Sequence, residues 1–437
     1  MIEQIVFTLA FVSAFGLFFY RLYRIYKYIK IAKPLKLKFG FKRVARVLKI
    51  AIAQSKIFKN PLVGLLHAFV FWGFIIVNVE MLEITIDGVF GTHRSLSFLG
   101  DIYPMMIAVF ELFALSVIIA CVIFLGRRNI IKLKRFWNKE MTTWPRSDAN
   151  IILITEILLM CSVLIMNATD TVIQSFGNEH YPKVGAFLVS GYLTPLFSGM
   201  SESTLIFIER FCWWFHIIGV LIFMNYVTFS KHLHIFFSFF NVYYSKFSPL
   251  GKMMNIPCVT NEVKIMLNLP SADPCSIEQT NQFGAKDAQD LYWKNLLDAF
   301  SCTECGRCTS VCPANITGKK LSPRKIVMDL RDRVEEIGPK AVKQGNNFND
   351  GKSLLDQIST EELWACTTCN ACVQECPVNI DPLAIILELR RFLVLEKGSA
   401  PGPINAVFAN IENNGAPWQY SADDRMLWAE ELSFKSK

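Results

Sequence analysis

Five apolar stretches, at roughly 3–20, 61–86, 103–126, 149–167 and 205–229, approach or exceed the length a helix needs to cross a bilayer, about 20 residues. A lipid interior supplies no hydrogen-bond partner for the backbone, so such segments are obliged to be helical. The composition agrees: 52% of residues are hydrophobic, 36 are Phe, and only 19% are charged. The first half of the chain is therefore expected to form a five-helix transmembrane bundle.

The loops between these stretches alternate in charge. Residues 21–59 carry 13 Lys/Arg and no acid, and residues 127–148 carry 7 against 2, whereas 87–102 and 168–204 carry one basic residue each. The positive-inside rule places the two basic loops in the cytoplasm, the N-terminus outside, and everything after about residue 230 inside. The first stretch lacks a basic n-region and an A-x-A-like cleavage site, so it is expected to be retained as a helix. Residues 1–229 sum to +10 and residues 230–437 to −2. Nothing in this distribution points to nucleic acid.

The second half is marked by cysteine. Residues 302–313 read CTECGRCTSVCP and residues 366–377 read CTTCNACVQECP, two copies of C-x2-C-x2-C-x3-C-P holding 8 of the chain's 13 cysteines. Three closely spaced thiolates wrap one [4Fe–4S] cubane, and the fourth, beyond a turn, ligates the neighbouring cluster. The expected ligand sets are Cys302, Cys305, Cys308 and Cys376 for one cluster, and Cys366, Cys369, Cys372 and Cys312 for the other. Structural zinc uses C-x2-C pairs at longer separation and fits poorly. Thiolate-held clusters favour a reducing compartment, which agrees with the topology. Each motif is followed by a related segment, SPRKIVMDLR at 322–331 and DPLAIILELR at 381–390. Ser322 and Asp381 are N-caps with Pro at the first helical position, and Gly338-Pro339 is expected to end the first of these helices. About 53 residues separate the motifs, which favours an α-helical two-cluster domain over a β-hairpin ferredoxin. The remaining cysteines, Cys121, Cys161, Cys212, Cys258 and Cys275, show no ligand spacing.

The chain has six histidines. His67 begins the second span, His216 lies inside the fifth, and His234 sits at its inner end. In a continuous helix the 18 residues between His216 and His234 make five turns, about 27 Å on one face, and His232 points elsewhere. His67 and His234 are expected to clamp one b-type haem from opposite sides. A second haem at His216 needs an outer partner, for which His93 in GVFGTHR is the candidate. Otherwise His93 is a loop residue and one haem is bound. Arg94 and Arg210 are either propionate partners or snorkelling side chains. Glu80, Glu83, Glu111 and Glu209 either carry protons from quinol oxidation or reach the headgroups.

GLLHAFVFWGF around His67, with His216 and His234 ending in SKHLH, resembles the cytochrome b (gamma) subunit of respiratory nitrate reductase and the membrane subunit of heterodisulfide reductase. The cysteine half resembles the iron–sulfur part of heterodisulfide reductase and, more distantly, the succinate dehydrogenase iron–sulfur subunit. The resemblance covers most of the chain before residue 400. It implies a prokaryotic inner-membrane protein exchanging electrons between a quinone, b-type haem and two [4Fe–4S] clusters. Two departures stand out: Val77 occupies the family's second histidine position, and no cysteine-rich CCG module follows Cys376. The final chemistry is then expected on a partner, a cysteine-rich soluble iron–sulfur or flavin protein.

The expected layout is an all-α chain with a transmembrane cytochrome b-like domain at 1–240, a connecting segment at 241–294, a cytoplasmic two-cluster ferredoxin-like domain at 295–400 and a docking tail at 401–437. The competing reading is a haem-free redox sensor or assembly factor. A self-sufficient reductase finds no support, since no G-x-G-x-x-G fingerprint is present.

Overall fold

The computed structural model describes residues 1–185, 187–270, 282–345 and 348–430. The described residues are helical throughout, without a strand and with one isolated bridge between Lys33 and Tyr292. Cys275 lies outside them.

The five apolar stretches become α1 (Ile2–Ile29), α2 (Pro61–Phe90), α3 (Ile102–Asn129), α4 (Thr143–Gln174) and α5 (Glu202–Val227), all long and apolar enough to cross a membrane. The first four helices run past the ends of their apolar stretches, whereas the fifth starts earlier, at Glu202, and ends at Val227. At the end of α1 the basic side chains stay helical by lying over neighbouring rings, such as Lys27 over Tyr23. Helix α2 starts at an Asn60 cap with Pro61 behind it, and α5 at a Ser201 cap.

Helix α3 packs between α2 and α4, α5 packs on α4, and α1 closes the group against α2 and α5. Apolar side chains gain little by leaving lipid for one another, so these contacts depend on close fit. Glycine provides it. A Cβ at Gly88 would come within 2.5 Å of the Phe7 ring, and one at Gly219 within 2.7 Å of Leu159.

The fifth helix does not continue to His234. It ends at Val227, and a new helix, α6 (His234–Tyr243), starts after a short turn. The turn is pinned by Asp148 of α4, which accepts from Tyr226 Oη (2.5 Å), Ser230 Oγ (2.7 Å) and Lys231 N (3.1 Å). The 18-residue register proposed for His216 and His234 assumed a continuous helix and does not hold.

The second half contributes α7 (Trp293–Phe300), α8 (Arg307–Ser310), α9 (Pro323–Gln344), α10 (Ala371–Glu375), α11 (Pro382–Leu395) and α12 (Gly402–Asn414). Ser322 and Asp381 cap α9 and α11 as expected, accepting from Lys325 N and Ala384 N. The expected stop at Gly338-Pro339 is overturned: α9 runs through Pro339 to Gln344. Pro339 costs the carbonyl of Glu335 its helical partner, at a residue that is exposed. Gly338 is retained by packing, since a Cβ there would strike the Tyr28 ring of α1 at 2.6 Å.

One core crosses the expected 240/295 boundary. Ile25, Tyr28 and Ile29 of α1, with Val227 and Val242, are buried together with Leu296, Phe300, Ile326, Leu330, Ile386 and Leu389. The cysteine half is therefore built onto the end of the bundle that carries the basic loops.

Candidate metal centre

Both cysteine loops share one backbone design. In the first, Glu304 (φ 52°) and Gly306 (φ 71°) are left-handed, and in the second Thr368 (φ 58°) and Asn370 (φ 61°) occupy the same two positions. Non-glycine residues rarely adopt this conformation. Repeated at matching positions, it gives the two cysteine loops the same curl. The curl also aims amides at sulfur. Glu304 N lies 3.4 Å from Cys302 Sγ, Thr368 N 3.5 Å from Cys366 Sγ, and Ile380 N 3.3 Å from Cys376 Sγ. Such N–H donors favour the thiolate form that iron requires.

The structure brings Cys376 to the first motif, not to its own. Cys302, Cys305, Cys308 and Cys376 line one cavity. Burial, then the charges of Cys305, Cys302 and Cys376, raise Cys308 well above the ordinary thiol range. Cys312 correspondingly lies by the second motif: burial raises Cys372, and Cys366 and Cys312 add to it. Burial also pushes Cys302 and Cys376 up to about 12. Four thiols gathered in this way hold protons until iron displaces them.

Arg324 organises the first loop. Fully buried, it donates to Glu140 Oε1 (2.7 Å), Arg135 O (2.7 Å) and Glu304 O (3.3 Å). Gly306 stands where Asn370 stands in the second loop, and a Cβ here would sit 2.5 Å from Arg324 Nη1. Other ties run between halves: Lys56 Nζ donates to Cys376 O (2.9 Å), Arg307 Nη1 to Lys56 O (3.2 Å), and Lys231 pairs with Glu304 (2.6 Å). Nothing in the sequence pairs these residues, because each contact joins segments remote along the chain.

The histidines fall into two groups. His67 and His234 are neighbours at the basic end of the bundle, with Arg307 of the first cysteine loop beside His67. His67 Nδ1 donates to Gln54 Oε1 at 2.9 Å, and His234 Nδ1 to Lys231 O at 3.0 Å. Those bonds engage Nδ1 of both rings and orient them. His232 stacks edge-on against His234, 5.5 Å between ring centroids, and rests on Phe223. Gln54 carries no recognisable signal in the sequence.

His216 is buried, with Nδ1 3.0 Å from Leu159 O and 3.3 Å from Ser162 Oγ. His93 is not brought to it. His93 Nε2 lies 3.4 Å from Asp170, with His180 and Tyr181 against its ring. Asp170 is 11 residues along α4 from Leu159, about 16 Å of helix. The outer arginines also have protein partners. Arg94 is buried against Asp170 and Asn167, each at 2.7 Å, and Arg210 pairs with Glu209 at 2.5 Å. Glu80, Glu83, Glu111 and Glu209 are all buried. Glu83 and Glu111 are held by backbone amides and Tyr103, Glu209 by Tyr181, and both Glu80 oxygens lack a partner.

Asp329 of α9, bonded to Lys325 at 2.7 Å, is raised by burial from 3.8 to about 6. The folded chain then binds a proton that the unfolded chain has released between those values, so this group's contribution falls as pH rises through that window. Asp329→Asn is expected to flatten this part of the stability–pH profile, read as the cluster-bleaching temperature from pH 4.5 to 7. An unchanged slope would count against it.

Residues 301–380 match the model of a 4Fe-4S dicluster domain. The chain is similar over 435 residues, at 29% identity, to a Bacillus subtilis protein described as "Probable iron-sulfur-binding oxidoreductase FadF", covering 92% of this chain and 57% of that one. It is 26% identical to the EtfAB:quinone oxidoreductase of Syntrophomonas wolfei, covering 87% and 53% of the two chains. A shorter segment, 34% of the chain and 24% of the relative, is 33% identical to a "Probable membrane-anchored ferredoxin" of Chromohalobacter salexigens. The chain thus spans about half the length of the Bacillus and Syntrophomonas relatives. No solved structure matches. The chain carries a two-[4Fe–4S] domain on a group of helices long and apolar enough to cross a membrane.

Proposed function

We propose that this chain moves electrons between a membrane quinone, one b-type haem and its two clusters, in exchange with a cytoplasmic partner. The observation that carries the reading is the proximity of His67 and His234, each with Nδ1 bonded to a protein oxygen, near Arg307 of the first cysteine loop. The haem and clusters supply one-electron transfer when bound. The protein supplies ligands, oriented rings and a short separation between the two centres. Cys302, Cys305, Cys308 and Cys376 hold one cluster, and Cys366, Cys369, Cys372 and Cys312 the other. Cys369 is the one exposed cysteine of the two sets, and its side of the second cluster is the one assigned to the partner. The positive-inside rule supports the cytoplasm for that side. The Syntrophomonas relative's name pairs EtfAB with a quinone, and the same pairing of an EtfAB-type protein with a membrane quinone is proposed here.

The dithionite-reduced spectrum tests the haem. A b-type α-band is expected in the intact chain, lost in His67→Ala and in His234→Ala, and retained in His93→Ala and His232→Ala. A purified chain with full cluster absorption and no α-band would overturn the haem assignment.

A further inference from the structure

A cavity of about 450 Å³ lies where the bundle meets the cluster domain. Its size falls within the ~300–1,000 Å³ typical of small-molecule sites. One wall is Cys302, a member of the buried cysteine set. The bundle side is Trp144, Thr228, Phe229 and Lys231, and the domain side is α9 with Asp329, Asp332 and Glu335. We propose that this cavity is the site where quinone is reduced or quinol oxidised, at the inner junction rather than at the outer end of the bundle. The inference rests on the quinone reading above and assigns it a place.

Four features converge. Trp144 and Phe229 are half exposed at the basic end of the bundle, where aromatic side chains mark the lipid interface and a prenyl tail would leave. The Lys231 ammonium is buried in the cavity wall and bonded to Glu304 Oε2 at 2.6 Å and to Pro145 O. Asp148 Oδ2 lies 3.9 Å from the same nitrogen, beyond hydrogen-bond distance, so of the ammonium's three donors the third is the one assigned to a quinone carbonyl. Cys302 brings the first cluster to the cavity without an intervening element. Asp332 is exposed, so the α9 carboxylates connect the cavity to water on the cluster side.

The chemistry balances. With both clusters bound by their eight cysteines, the reduced pair would supply two electrons, passed one at a time from the Cys302 side. The quinone takes both, with two protons from water by way of Asp329, Asp332 and Glu335, and two O–H bonds form. Quinol oxidation is the same sequence reversed, with protons released on the same side.

The test is photolabelling of the intact chain in mild detergent with a short-tailed azido-naphthoquinone, followed by peptide mapping. Label that excess unlabelled quinone displaces is expected in residues 142–148, 228–234 or 325–335. Thr142 lines the cavity and is exposed. Thr142→Trp is expected to lower incorporation by about tenfold, equivalent to about 1.4 kcal/mol of affinity, with unchanged cluster absorption. Asp332→Trp on the opposite wall should act alike. Displaceable label at the outer end, or label indifferent to both variants, overturns this site and leaves the quinone reading standing. No displaceable label, together with failure of the quinone to reoxidise the reduced clusters, overturns both.

Discussion

Cys376→Ala is expected to destroy the cluster of the first motif and to spare that of its own. Cys376 lines a cavity with Cys302, Cys305 and Cys308, and its carbonyl is tied by Lys56 to the basic loop before α2. Cys312 lies instead by Cys366 and Cys372. Each cubane therefore takes three ligands from one loop and one from the other. Iron should fall from about eight to about four atoms per chain in either variant, the content of one cubane out of two. The paramagnetic spectrum of the remaining cluster then decides the pairing. Cys376→Ala should match Cys305→Ala, and Cys312→Ala should match Cys369→Ala. The reverse correspondence would mean that each motif closes its own cluster and would sink the exchanged assignment.

The features legible in the sequence were those with a local cause. Chain length in lipid fixes a helix, so α1 to α5 fall where apolar runs stand. Cap chemistry acts over three residues, so Ser322 and Asp381 start helices where expected. Cysteine spacing is equally local. The misreadings came where tertiary contact outweighed a local rule. Gly338-Pro339 reads as a stop, but packing of Tyr28 on Gly338 carries α9 past it. The run ending at Phe229 reads as one helix with His234, but Asp148 on another span draws Ser230 and Lys231 out of it. Glu304 and Thr368 carry no sign of their left-handed backbone; only comparison of the two loops exposes it. The buried outer carboxylates were visible as residues but not as a network, since Arg94 joins Asp87, Asn167 and Asp170 from separate helices.

Arg324 shows what the join between the halves is worth. Its guanidinium is fully buried, and Glu140 is 10% exposed. One side chain holds the acid from the basic loop before α4, the carbonyl of Arg135 and the carbonyl of Glu304 inside the cysteine loop. Arg324→Met is expected to cost about 3–5 kcal/mol, the usual result of leaving a buried partner charge unpaired. Because Glu304 O and Gly306 both rest on this guanidinium, the first cluster should bleach at lower temperature while the second persists longer. Restoring neutrality with Glu140→Gln in the same chain should recover much of the loss, since the penalty lies in the stranded carboxylate more than in the missing pair. Equal bleaching temperatures for Arg324→Met and the unaltered chain would show that the loop is shaped by its own backbone alone. Loss of both clusters together, unrelieved by Glu140→Gln, would show that Arg324 holds the shared core and not the loop. Selective, relieved loss is the outcome expected from a residue that joins the bundle's basic end to one cluster.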